Sequence, residues 1–137
     1  MLLPKATLVV TGAVFVAAGM VFLANPDRLA SAIGLATQAG RSHTEIRAMY
    51  GGLQLGLGIF FLVSSVRIRW IRAALAAQSL ILGFSAAGRS FGILLTGRDR
   101  LMMGLTILDI AGAILGFVAF SRAKVALQTL HDRRTID

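Results

Sequence analysis

The spacing of the charged residues constrains this chain more than any other feature of its sequence. Charges fall in short clusters that separate four long apolar runs, at residues 6–24, 48–66, 73–96 and 101–121. A helix rises about 1.5 Å per residue and needs roughly 20 residues to cross a hydrocarbon core of about 30 Å. All four runs, named spans 1 to 4, meet that length. The pattern predicts an all-α membrane protein, an antiparallel bundle of four transmembrane helices.

Composition supports the same fold class. Apolar residues make up 56% of the 137 residues and charged residues 15%, whereas soluble proteins carry about 45–50% and about 25%. This length predicts a single domain, residues 1–137. The net charge of +8 does not indicate nucleic-acid binding, because the basic residues occupy span ends without interleaved aromatic residues. The chain has no cysteine, so thiol chemistry is excluded. The expected partner is the lipid bilayer.

Span 1 has a second interpretation, as a secretory signal peptide with a small-residue cleavage site at 17–19. The charged region before it contains only Lys5, and its apolar stretch is long for a signal peptide. We therefore interpret span 1 as a retained helix.

The distribution of basic residues predicts the orientation. Four spans place both termini and the middle connection on one side of the membrane. That side carries eight basic residues: Lys5, Arg67, Arg69, Arg72, Arg122, Lys124, Arg133 and Arg134. The other side carries five: Arg28, Arg41, Arg47, Arg98 and Arg100. The positive-inside rule predicts that both termini are cytoplasmic.

The connection at 25–47 is the only long one between spans. Asn25-Pro26-Asp27 is typical of a helix start, since capping side chains flank a proline that the first turn tolerates. Apolar and small residues then recur at helical spacing, at Leu29, Ala30, Ile33 and Gly34. We expect a short amphipathic helix in the membrane interface between spans 1 and 2. An irregular loop is the alternative.

Glycines four residues apart indicate close helix packing. The pairs are Gly52 and Gly56, Gly88 and Gly92, and Gly112 and Gly116. Small residues let membrane helices approach closely, so each pair predicts a packing face. Spans 2 and 4 also begin alike, at 47–52 and 100–105, which could mark a parallel internal repeat.

Two charges lie inside the spans. Arg89 lies eight residues before Gly97 and Asp109 lies eight residues after Leu101, so both sit about 12 Å from the same turn. A lone charge in hydrocarbon is costly, and equal depth on adjacent helices predicts an ion pair. The pair could fix the register of the two helices, or it could belong to a functional site.

Further polar residues mark the start of span 2. Arg47, Tyr50 and Gln54 recur at helical spacing and share a face, with Glu45 beside them. With the two membrane charges they could line one polar pocket that opens outward. The predicted ligand-binding residues are Glu45, Arg47, Tyr50, Gln54, Arg89 and Asp109. No residue pattern predicts a catalytic group, a metal site or a particular cofactor.

We do not expect a binding role for one histidine and three methionines near these residues. We expect His43 to be solvated, as a lone loop histidine usually is. Met49, Met102 and Met103 are expected to fill the core rather than to bind a metal.

The run 45–52 resembles the signature of a domain-of-unknown-function family of small bacterial four-helix membrane proteins. Asn25-Pro26-Asp27 is similar to the outer loop of that family, and the layout is similar to DoxX-like proteins, some of which are linked to quinone-dependent sulfur oxidation. The resemblance covers most of the chain in layout. It implies a four-helix fold and the bacterial inner membrane, and it names no activity.

Three functional hypotheses remain open. The first is an accessory or binding module, an oligomer or subunit of a larger complex, whose outward-facing pocket holds a lipid, quinone or other amphiphile. The second is an oligomeric transporter or channel that uses Arg89 and Asp109. The third is an enzyme on a lipid-soluble substrate, with Tyr50 and Asp109 as acid–base groups.

Overall fold

All regular secondary structure in the described residues is helical. A computed structural model describes residues 1–27, 31, 41–97 and 99–134, and the side chains of all of these except 41, 42 and 124–134. Four helices are long and apolar enough to cross a membrane: Leu2–Ala24, His43–Val66, Ile71–Thr96 and Arg100–Ala123. These are spans 1 to 4, and no strand occurs within the described ranges. The predictions of an all-α fold and of four spans are confirmed.

All four helices begin before the predicted limits, by one residue in span 4 and by two or more in the others, and span 4 also ends beyond its limit. Span 1 begins at Leu2, where Pro4 lies in a first turn that does not need its N–H. The helix of span 4 continues to Arg134, well past residue 121. A charged residue ends an apolar run without ending a helix, which is why hydropathy placed this limit too early.

Span 2 contains a π-helix that the sequence did not predict. A short α-helix at Arg41–Glu45 leads into a π-helix at Ile46–Gly52, and an α-helix follows at Leu53–Val66. The backbone N–H of Leu53 donates to the carbonyl of Ala48, five residues earlier, as π-helical geometry requires. The π-helix covers most of the run that resembles a family signature.

Contacts divide the chain into two compact units. Unit A, Val9–Val63, contains most of span 1 and most of span 2. Its two helices run antiparallel, since Gly12 approaches Gly58 while Gly19 approaches Leu55. A Cβ on Gly19 would lie 2.7 Å from the backbone nitrogen of Leu55, so only glycine fits. Phe15 and Phe61 pack edge to face nearby, with ring centroids 5.8 Å apart.

Unit B, Met1–Leu8 with Ser64–Asp137, contains spans 3 and 4. Its buried residues on span 3 follow helical spacing: Ile71, Ala74, Leu75, Gln78, Leu82 and Ala86. Leu82 and Ser79 pack against Gly112 and Gly116 of span 4, which confirms one of the predicted glycine faces.

The other two predicted glycine faces are wrong as packing faces between the described residues. A Cβ on Gly56, Gly88 or Gly92 would meet nothing within 4 Å, and one on Gly52 only a carbonyl of its own helix. Spacing identifies small residues but does not say which side of a helix faces its neighbour. The prediction that methionines fill the core is wrong for Met49 and Met103, which are exposed, whereas Met102 is half-buried.

A tight turn joins spans 3 and 4. Gly97 ends span 3 with φ of 99°, a conformation that favours glycine, and its N–H donates to the carbonyl of Ile93. The carboxylate of Asp99 then accepts a hydrogen bond of 2.9 Å from the N–H of Met102 and caps span 4. This short connection places residues at equal distance from the turn beside each other.

The predicted interfacial helix in the 25–47 connection falls largely outside the described residues and stays a prediction. One contact across this connection is described: the His43 imidazole lies against the Asp27 carboxylate. The prediction that His43 is simply solvated is therefore wrong. This contact brings the beginning and the end of the long connection together.

Candidate functional site

Arg89 and Asp109 form the predicted ion pair inside unit B. Nη1 of Arg89 lies 2.7 Å from Oδ2 of Asp109, a charge-assisted hydrogen bond. The two side chains are 34% and 14% exposed, respectively. The carboxylate is therefore mostly enclosed, whereas a third of the arginine side chain is open to its surroundings. Their placement follows from the Gly97 turn, which sets both residues about 12 Å along their helices.

The pair does not use all of its hydrogen-bonding groups. A guanidinium has five N–H donors, and Arg89 makes one contact, to one oxygen of the carboxylate, among the described residues. Space adjoins the pair on span 3, because a Cβ on Gly88 or Gly92 would meet nothing within 4 Å. Arg89 thus combines unused donors with room for a further group.

Arg47 and Tyr50 hold the end of span 1 within unit A. Nε of Arg47 donates to the carbonyl of Leu23, 3.3 Å away in the last turn of span 1. The rings of Tyr50 and Phe22 pack with centroids 5.4 Å apart. A helix leaves its last carbonyls without backbone partners, so Arg47 acts as a partner for that helix end. Both residues have a clear structural role here.

Gln54 and Glu45 complete the residues predicted for unit A. Oε1 of Gln54 is buried and has no hydrogen-bond partner in the part of the chain that the structure describes. A buried acceptor without a partner is unfavourable, so Oε1 of Gln54 would be stabilised by a donor from outside the described residues. Glu45 is exposed at the start of the π-helix and makes no side-chain cap.

The predicted site residues therefore form two clusters. Arg89 and Asp109 meet in unit B, and Arg47 and Tyr50 each contact the end of span 1 in unit A. That all six residues line one pocket stays a prediction. No group of three metal-binding side chains occurs among the residues described.

Sequence reasoning missed two polar residues of unit B. Gln78 is fully buried on span 3, and its Nε2 donates to the carbonyl of Gly112 at 3.3 Å. Arg72 lies over the ring of Phe120, with its guanidinium carbon 5.1 Å from the ring centroid. Gln78 carried a usable signal, as an amide inside an apolar span, whereas the position of Arg72 over Phe120 depends on how spans 3 and 4 pack.

Comparison with known protein families gives a match that covers most of the chain. A family described as a domain of unknown function, DUF4345, matches residues 3–121, which includes all four spans. No curated protein and no solved structure matches the chain significantly.

Proposed function

Since the chain belongs to the DUF4345 family of unknown function, we propose from its site alone that it is a small membrane binding module for an amphiphile. The polar head of a lipid, quinone or similar molecule binds beside Arg89 and Asp109, with its tail along spans 3 and 4. The family match confirms the resemblance to a domain-of-unknown-function family, while the likeness to DoxX-like proteins stays a prediction.

The open arginine is the observation that supports this proposal. A charged side chain deep in a span is costly to expose to hydrocarbon, yet Arg89 is 34% exposed beside its partner. If the pair served only to fix helix register, we would expect both side chains to be fully buried and fully hydrogen-bonded. The unused donors of Arg89 therefore require a polar group from outside the described residues, and an amphiphile supplies one.

The depth of the pair favours a neutral head group. About 12 Å of helix separates Arg89 from the Gly97 turn, so the head must enter the apolar layer. A carbonyl or hydroxyl oxygen loses less hydration free energy at that depth than a phosphate does. Arg89 would donate to a carbonyl oxygen, and the second carboxylate oxygen of Asp109 would accept from a hydroxyl group. A quinone or quinol head meets these requirements.

Surface exposure is consistent with such a ligand or a further subunit. Only 6% and 11% of the residues in the apolar stretches of spans 3 and 4 are buried, against 28% in each of spans 1 and 2. We place the protein in the bacterial inner membrane with both termini in the cytoplasm, as the basic residues favour. The site then opens towards the outer side.

Binding of decylubiquinone to the purified protein tests the proposal. Arg89→Gln removes the charged donors, so we expect at least about tenfold weaker binding, as for loss of a hydrogen bond to a charged group. Gly92→Leu should weaken binding by occupying the space near Arg89, while leaving the ion pair intact.

Arg100→Gln is the matched control, because it removes an exposed arginine at the start of span 4. It should bind like the unmodified protein. Equal binding by all three variants would refute a site at Arg89.

A further inference from the structure

The end of unit B that lies opposite the Gly97 turn carries a second group of polar residues. The connection between spans 2 and 3 contains Arg67, Arg69 and Arg72 and no acidic residue, and Arg122 follows at the end of the apolar part of span 4. Arg67, Arg69 and Arg122 are exposed. None of the four arginines has an ion pair within the described part of the chain. No described acidic side chain therefore neutralises these charges.

Arg72 is held in place rather than extended into solvent. Its guanidinium lies over the ring of Phe120, 5.1 Å from the centroid, so spans 3 and 4 both fix its position. Its Nε is buried and lacks a hydrogen-bond partner among the described residues. The buried Nε does not reach an outside anion, but the terminal N–H groups of this half-buried, fixed guanidinium are suited to bind one.

Exposed apolar residues alternate with arginines along the connection between spans 2 and 3. Val66, Ile68 and Trp70 are 75%, 51% and 51% exposed, respectively. Exposed tryptophan and aliphatic residues beside arginines are typical of the membrane interface, where lipid head groups and the first acyl carbons lie. A free phosphate ion would use the charges and leave these apolar surfaces in water. A phospholipid uses both.

We propose that Arg72, with Arg67, Arg69 and Arg122, binds the phosphodiester of an anionic phospholipid at this end of unit B. The acyl chains lie against the exposed apolar side chains of the connection. The site lies at the far end of spans 3 and 4 from the Arg89 pair, and it does not depend on the function proposed there.

Native mass spectrometry of the purified full chain in neutral detergent tests this site. Phosphatidylglycerol should be retained in preference to phosphatidylcholine. Arg72→Gln should lower that preference about fivefold, as expected for one basic residue near a membrane surface. Arg72→Lys should fall between, since it keeps the charge and loses the fork. Arg100→Gln, the same charge change at the other end of span 4, should have no effect.

Arg69→Gln provides an independent variant, because Arg69 is exposed and its loss should leave the fold intact. It should also lower the preference for phosphatidylglycerol. Equal retention of the two lipids by the unmodified protein, or equal effects of Arg72→Gln and Arg100→Gln, would overturn the proposal. Displacement of phosphatidylglycerol by millimolar inorganic phosphate would show a site for a free anion instead and would also overturn it.

Discussion

Arg89 and Asp109 form an ion pair between two apolar helices, and each charge offsets the cost of burying the other. Replacing Arg89 or Asp109 by alanine leaves an unpaired charge, so each change should lower the free energy of unfolding by roughly 3–5 kcal/mol. The double variant Arg89→Leu with Asp109→Leu removes both charges and should recover most of the loss. Denaturation in detergent measures all three.

The double variant also separates the two roles of the pair. Restored stability with lost quinone binding would assign the pair to a ligand site. Restored stability with normal binding would make the pair a device that fixes helix register. Single variants as stable as the unmodified protein would mean that the ion pair contributes nothing.

The role of Arg47 depends on a residue that is far away in the sequence. Its Nε donates to the carbonyl of Leu23, 24 residues earlier. We expect Arg47→Lys, which has no Nε, to lower the free energy of unfolding by about 1 kcal/mol, as for loss of one hydrogen bond. Arg100→Lys is the matched control. If Arg47 serves only a ligand, thermal unfolding without ligand will show no difference between the two variants.

These residues also show what the sequence could predict about the site. The Arg89–Asp109 pair follows from counting residues on either side of one short turn. The contacts of Arg47 and Tyr50 could not be counted in this way, because the long connection at 25–40 lies between them and span 1. Their positions depend on how that connection brings two helices together.

At the scale of elements, the glycines of span 1 determine how closely it approaches span 2. Gly19→Ala would set a Cβ 2.7 Å from a backbone nitrogen, so we expect the helices to separate and the protein to lose stability. Gly56→Ala places its Cβ where nothing lies within 4 Å. It should gain roughly 0.5–1 kcal/mol from helix propensity. Thermal unfolding of the two variants compares these effects directly.

Opposite signs for the two glycine variants would support the packing of unit A. If Gly56→Ala were the more destabilising, Gly56 would pack against a surface outside the described residues, such as another copy of the chain. Gly116→Ala tests close helix packing in unit B, because its Cβ would lie 2.7 Å from Oγ of Ser79.

The end of a helix was predictable where the apolar run and the helix stop at the same residue, as at Ala24, Val66 and Thr96. The π-helix was not, because it changes the hydrogen-bonding partner of a few residues without changing their polarity. Within the π-helix, Gly51 packs closely against the end of span 1. Leu23 packs where a Cβ of Gly51 would lie, 2.7 Å from its Cγ. Wider backbone turns of this kind are frequent at functional sites.

At the scale of the whole molecule, the two ends of unit B differ in chemistry. The Gly97 end leads to an ion pair within the apolar layer, whereas the arginines at the Arg67 end form no ion pair among the described side chains. A neutral head group suits the first and a phosphate the second. The two proposed sites in this chain of 137 residues thus differ in depth and charge.

Orientation is the last property that these charges predict. The chain has no cysteine, so Gln38→Cys and Arg69→Cys each introduce a single thiol, on opposite sides of span 2. With eight basic residues on the side of the termini and five on the other, the termini should be cytoplasmic. A membrane-impermeant maleimide should therefore label Gln38→Cys in intact cells and Arg69→Cys only after permeabilisation. The reverse labelling pattern would show that the termini face outward, and the site at Arg89 would then open towards the cytoplasm. Labelling of both in intact cells would contradict a membrane span between them.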